Sequence, residues 1–130
     1  MSVHLRKMTP CMPSKPSSPQ ACLFHIRDNI TLARAFVERF DYERFRDNQL
    51  VVYAVTRALE IMTEASRRLP DEMKKQRPEI AWTEVAGAGN VYRHDYEDVR
   101  QRDVWVTLHK HLPPLQAAVE QELRKLGELP

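Results

Sequence analysis

Apolar residues recur at intervals of three and four along most of the chain. Leu23, Ile26, Ile30, Ala33, Val37 and Phe40 are spaced 3, 4, 3, 4 and 3. That repeat places them on one stripe of a helix beginning at Cys22 and running about five turns. Asp41 follows as an N-cap for a short turn through Phe45, because a carboxylate there accepts from the free backbone N–H groups of a first helical turn. A second stretch, over 48–68, carries Val52, Val55, Leu59, Met62, Ala65 and Leu69 on one face, and Pro70 closes it. Proline removes a helical hydrogen bond and disfavours helix in the residue before it. The segment PDEMKKQRPEI lies between Pro70 and Pro78 and reads as a short helical turn plus a loop.

A third stretch opens at Ala81 or Trp82 and extends to Arg93. The fourth, over 102–126, carries Val104, Leu108, Leu112, Leu115, Val119, Leu123 and Leu126, with Pro113 and Pro114 inside it. These two prolines predict a kink or break near His111. No stretch alternates with period two for long enough to make a sheet, and there is no internal repeat. The pattern therefore predicts an all-α fold, an up-down helical bundle of four to five helices joined by short links.

Composition narrows the picture. The chain has 130 residues, 42% of them hydrophobic and 29% charged, which fits one ordinary globular domain. Pro10, Pro13, Pro16 and Pro19, with Ser14, Ser17 and Ser18, crowd the first twenty residues. That composition disfavours helix and strand alike, so residues 1–21 read as a mobile tail ahead of a helical domain over 22–130. Met12 is a second candidate start. The segment has no apolar h-region of a signal peptide, and no apolar run approaches the ~20 residues of a membrane span. A cytoplasmic protein without membrane attachment is expected.

The net charge of +2 is too small to argue for nucleic acid by itself. Cys11 and Cys22 are the two cysteines. Cys22 and His25 have ligand-like spacing, but no second pair completes a metal site. His109 and His111 flank Lys110 and point about 200° apart on a helix, which disfavours a shared metal. No metal and no other cofactor is expected.

The stretch GAGNVYRHDY, 87–96, carries the candidate chemistry. Taken with NQLVVYAVTRALEIMTEASRRL before it, the PEIAW turn, and the later VW and LPPL segments, it resembles the HepT-like branch of the HEPN superfamily over residues 22–126. The resemblance implies an all-α homodimer with its active sites near the two-fold axis. It implies metal-independent RNA cleavage by the toxin half of a toxin–antitoxin pair. It also implies a minimal nucleotidyltransferase partner that silences the toxin by attaching AMP to a tyrosine. The family motif is an arginine, a polar residue, a short spacer and His-x-Tyr. Asn90, His94 and Tyr96 match it, whereas the arginine position is Gly89.

RNA cleavage without a metal needs a base to take the 2′-OH proton, an acid to protonate the leaving 5′ oxygen, and positive charge on the phosphorane-like transition state. Histidine titrates near neutrality and can serve as acid or base. Arginine supplies the permanent charge, and its loss typically costs on the order of a hundredfold or more in rate. Gly89 has no such group. Arg93 lies four residues later, one helical turn away on the same face, and helical side chains lean toward the N-terminus. Arg93 is therefore the candidate replacement, with ion pairing to Asp95 or Glu97 as the ordinary alternative. Asn90 shares the His94 face and is the candidate orienting residue. Tyr96 is the candidate for modification: an added AMP there blocks the RNA path by charge and bulk. Tyr92 is a second RNA-contact candidate.

The run Ala86-Gly87-Ala88-Gly89 lets two helices approach closely, and Gly87 and Gly89 are the candidate dimer-packing residues. Arg67, Arg68, Lys74 and Lys75, with Arg77, surround Pro70 as candidate RNA-backbone contacts; solvated loop charge is the plainer account. Arg57, Glu60 and Glu64 read as ion-pairing residues on the second helix. Two functions follow. One is a HEPN-type endoribonuclease toxin working through His94, Arg93 and Asn90. The other is a catalytically degenerate HEPN domain, disabled at Gly89, that binds RNA, a nucleotide or a partner as a dimer.

Overall fold

The computed structural model describes residues 18–87 and 97–130, and among them the regular structure is entirely helical. Helix α1 spans Pro19–Phe36, α2 Tyr42–Asp47, α3 Gln49–Arg67, α4 Asp71–Lys75 and α5 Trp82–Gly87. Helix α6 spans Glu97–Val106, a π turn covers Thr107–His111, and α7 spans Leu112–Lys125. The four-to-five-helix expectation counted four stretches, the third of which opens as α5. The short α2 and α4 join them as helices in their own right.

Local chemistry fixes several ends. Ser18 accepts from the Ala21 N–H at 3.1 Å, and Pro19 follows in the first turn, so α1 starts three residues ahead of Cys22. A missing proline N–H costs nothing at that position. Asp41 caps α2 through the Arg44 N–H at 2.8 Å, and Asn48 caps α3 through the Val51 N–H at 3.1 Å. Helix α1 ends at Phe36 and not at Phe40. The chain turns over 37–40 to bring Asp41 into its capping position, while Phe40 still packs against the core. At the far end, Gly127 takes φ 77° and closes α7. The Gly127 N–H bonds Arg124 O at 3.0 Å and the Glu128 N–H bonds Leu123 O at 2.9 Å. This is a Schellman termination, for which glycine has no steric penalty.

The core forms where α1 packs against α3 and α7. Leu23, Ile26 and Ile30 come from α1, Val55, Leu59 and Met62 from α3, and Leu112, Leu115, Val119 and Leu123 from α7, all essentially inaccessible. The 3-4 stripes thus face one another as their spacing requires. Leu126 is the exception in the fourth stripe. It lies beyond the last helical residue and is exposed.

The Pro113–Pro114 pair does not break the helix. Residues from Glu97 to Lys125 remain helical, and the strain is absorbed in the π turn just before the prolines. The physical reason is donor accounting. Pro113 and Pro114 have no N–H to offer the carbonyls one turn earlier. A wider turn, in which the Leu112 N–H reaches Thr107 O, lets the chain continue without those bonds. No helix among the described residues is long and apolar enough to cross a membrane.

Candidate active site

The residues that carry the sequence motif, Gly89, Asn90, Tyr92, Arg93, His94 and Tyr96, lie outside the described residues. The chain enters the motif from α5 and leaves it into α6, and each of these helices contributes a buried valine to the core, Val85 and Val104.

Helix α5 covers six of the described residues. Side chains from elsewhere hold it. At its start, the Trp82 indole Nε1–H is shared between the carbonyls of Lys74 and Arg77, each at 3.1 Å. At its end, two successive carbonyls accept from α3: Val85 O from the Thr63 hydroxyl at 3.3 Å, and Ala86 O from the Arg67 guanidinium at 2.7 Å. His111 Nε2, in the π turn, lies 3.6 Å from the Glu84 carboxylate on the same short helix.

The loop ahead of α5 is pinned in turn. Arg77 places its Nη2 2.6 Å from the Glu122 carboxylate and its Nε 2.9 Å from the same oxygen, with Gln121 Oε1 at 2.7 Å and Glu79 at 3.4 Å. Lys125 adds a third donor to Glu122 at 3.1 Å. Burial alone would push the Glu122 carboxyl up. The hydrogen bonds and charges of Arg77 and Lys125 outweigh it and hold the group below the usual carboxylate range. The bond to Glu122 likewise raises Arg77.

The basic residues around Pro70 therefore separate by environment. Arg77 is buried in an ion pair rather than carried on a solvated loop. Arg68 is paired with Glu64 at 2.6 Å, and Arg67 reaches the same residue at 3.8 Å while donating to Ala86. Lys74 and Lys75 sit on α4, the first half-buried and the second exposed. Arg57 meets Glu60 at 3.9 Å, the kind of ion pair its helix position predicts. His109 and His111 look toward different elements, Trp105 and Glu84.

A Cβ added at Gly87 meets nothing within 4 Å, and its backbone is not in the left-handed region. Neither the conformation of α5 nor packing among the described residues calls for glycine there.

Sequence reasoning missed Thr63, Glu122 and the backbone contact of Arg67. Thr63 carried a usable signal. It and Ser66 are polar residues on the face that also carries Leu59 and Met62, and both are buried with hydrogen bonds, Thr63 to Val85 O and Ser66 to Thr63 O. A buried hydroxyl has to find such a partner. Glu122 had no comparable signal, since its partner lies in a distant loop.

The model of one protein family, described as ribonuclease HepT-like, matches residues 26–122. Among curated proteins, "Probable ribonuclease HepT" of Thermococcus cleftensis is 36% identical over 100 residues, covering 77% of this chain and 90% of that protein. "Putative RNase TTE0752" of Caldanaerobacter subterraneus is 31% identical over 108 residues, covering 83% of this chain and 96% of that protein. "Putative RNase MJ1380" of Methanocaldococcus jannaschii is 31% identical over 101 residues, with 78% and 93% covered. No solved structure matches the chain.

Proposed function

Since the chain belongs to the HepT-like ribonuclease family, we propose that it is a metal-independent endoribonuclease and the toxin of a toxin–antitoxin pair. The observation that carries this reading is the family match over residues 26–122, which includes the His-x-Tyr at 94–96. His94 serves as general acid or base on the 2′-OH and the leaving 5′ oxygen. Asn90 orients the imidazole or donates to a phosphate oxygen. Arg93 supplies the guanidinium that position 89 lacks. The firm seating of α5 and α6 on the core supports a site of fixed geometry, which transition-state stabilisation requires.

The partners follow from the same reading. A second copy packs against the small-residue face at Gly87 and Gly89, bringing two sites to one cleft. The open space over Gly87 supports this, because nothing else among the described residues accounts for the glycine. A minimal nucleotidyltransferase attaches AMP to Tyr96 and places an anionic, bulky group in the RNA path. Tyr92, Lys74 and Lys75 are the RNA-contact residues proposed outside the catalytic group, Arg67 and Arg68 being engaged by Glu64, and the protein acts in the cytoplasm.

Gly89 favours a second reading, a HEPN-like domain that binds RNA or its partner as a dimer without cutting. RNA cleavage by purified wild type, His94→Ala, Arg93→Ala and Gly89→Arg separates the two. Wild-type cleavage lost in both alanine variants is the expected result. Cleavage that appears only in Gly89→Arg overturns it in favour of the binding module.

A further inference from the structure

A ridge of one cation followed by three rings lies where α2 meets the helix that follows the motif. Arg102 is exposed, and its guanidinium carbon lies 4.7 Å from the centre of the Tyr42 ring. Tyr42 meets Trp105 edge-on at 6.0 Å, and Trp105 lies 4.2 Å from the His109 ring with their planes tilted by 43°. The ridge does not drift, because Trp105 also packs at 5.3 Å against Phe45, which is fully buried. His109 is set by its own backbone contact. Its Nδ1 lies 2.8 Å from Trp105 O, and a carbonyl only accepts, so Nδ1 carries the hydrogen and Nε2 is left for another partner.

His109 also forms one wall of an open cleft of about 460 Å³ between α1 and α7. The cleft has an apolar base from Val37, Leu108 and Pro113. Its two opposite charges, Glu38 and Arg34, balance, and Arg34 is already turned to Gln116 Oε1 at 2.6 Å. A volume of this size suits a nucleoside, and a cleft of balanced charge suits a neutral base better than a phosphate.

Resting on the ribonuclease reading, we propose that this ridge and cleft are a subsite for single-stranded RNA. One phosphate pairs with Arg102, and the adjoining base stacks on His109 at the mouth of the cleft. The chemistry on the page fits that occupant. Bases stack on rings and on guanidinium planes, and the ridge sets a cation for a phosphate at one end and an exposed ring for a base at the other. Arg102 is the cation best suited to a phosphate, since no carboxylate among the described residues pairs with it, whereas Arg46 beside it is bound to Asp47 at 3.0 Å. A duplex keeps its bases stacked inside and cannot use His109 this way.

Binding of a labelled single-stranded RNA is measured by fluorescence anisotropy in the His94→Ala background, which prevents cutting. Arg102→Ala is expected to weaken binding several-fold and to reduce the slope of log K against log salt by about one. His109→Ala is expected to cost about tenfold, with His109→Phe restoring the loss and a duplex of the same sequence unaffected. Parent-like binding by both alanine variants, equal losses on single strand and duplex for His109→Ala, or a parent that binds no single-stranded RNA overturns the inference. Cleavage assayed in parallel separates this from the wider reading. Wild-type cutting with unaltered ridge variants sinks only the subsite, and ridge-dependent binding without cutting sinks only the nuclease.

Discussion

Arg77 and Glu122 lie 45 positions apart in the chain and 2.6 Å apart in the fold, both side chains largely shielded from water. They join the loop before α5 to the last helix, so the approach to the motif segment is fastened to the element that closes the core. Removing one member leaves the other charged and poorly solvated, which typically costs about 3 kcal/mol or more. Glu122→Ala is expected to lower the thermal midpoint by several degrees. Glu122→Gln, which keeps the shape and an acceptor, is expected to lower it less. Equal melting of wild type and Glu122→Ala in calorimetry would show that the pair contributes nothing.

The same pair sets a pH dependence with a definite sign. Glu122 is held below its unfolded value, so the folded state binds its proton less readily. Its contribution is complete above the unfolded carboxylate range. It is lost as pH falls through that range toward the lower folded value. Denaturant titrations at successive pH values are expected to show stability falling across that acid window in the wild type. A smaller fall is expected in Glu122→Gln, and parallel curves would remove Glu122 as the cause.

Thr63 and Arg67 act on one short stretch of backbone from one face of α3. Thr63 is buried, and replacing it by valine keeps the volume while removing the donor to Val85 O. The cost is on the order of 1 kcal/mol. Arg67 is half-exposed, and its loss is expected to change global stability little while freeing the Ala86 carbonyl. Both variants are expected to increase amide hydrogen exchange in α5 more than in α1. Under the proposed function, both should lower the cleavage rate more than they raise KM, with Arg67→Lys recovering part of it. Uniform exchange changes across α1 and α5 would contradict this local role.

Much of this fold was legible because each long helix carries its own repeat. The stripes of α1, α3 and α7 were read from spacing alone, and Asp41 announced α2 by its type and position. Helix α6 was read as starting at Arg102, five residues late, because EDVRQRD has almost no apolar residue to mark a stripe. The prolines signalled a disturbance at the right place, but a missing donor does not say whether a helix will break or widen. Arg77 looked like loop charge because the partner that buries it is remote in sequence. Of the candidate site, the motif was visible by type and order. The hydrogen bonds that seat its approach were invisible, being contacts between a side chain and a distant carbonyl.

Phe45 tests whether the short helix α2 belongs to the core. Its side chain is fully buried and packs on Trp105, so α2 is bolted to α6 through two rings. Phe45→Ala leaves a cavity beside Trp105 and is expected to cost about 3–5 kcal/mol, while Phe45→Leu should cost less than half of that. Trp105 fluorescence, read in a Trp82→Phe background because Trp82 also emits, is the local readout, and its emission should shift to the red in the alanine variant as water reaches the ring. A loss under 1 kcal/mol with unchanged emission would mean that α2 rests on the bundle without holding it.

Cys22 is a buried thiol, 2% exposed, on the inner face of α1. Burial pushes its pKa up, and the nearby charge of Arg68 only partly opposes this. The thiolate is the reactive form, so both low exposure and a raised pKa protect it. In the native protein, Cys22 is expected to be alkylated by iodoacetamide at least a hundredfold more slowly than in denaturant, read by mass spectrometry of the peptide that contains it. Because the protection depends on α1 staying docked, the native rate should follow the unfolded fraction as denaturant is added. Rapid alkylation in buffer, at a rate independent of denaturant below the transition, would mean that α1 opens on its own and that the core closes without its first turn.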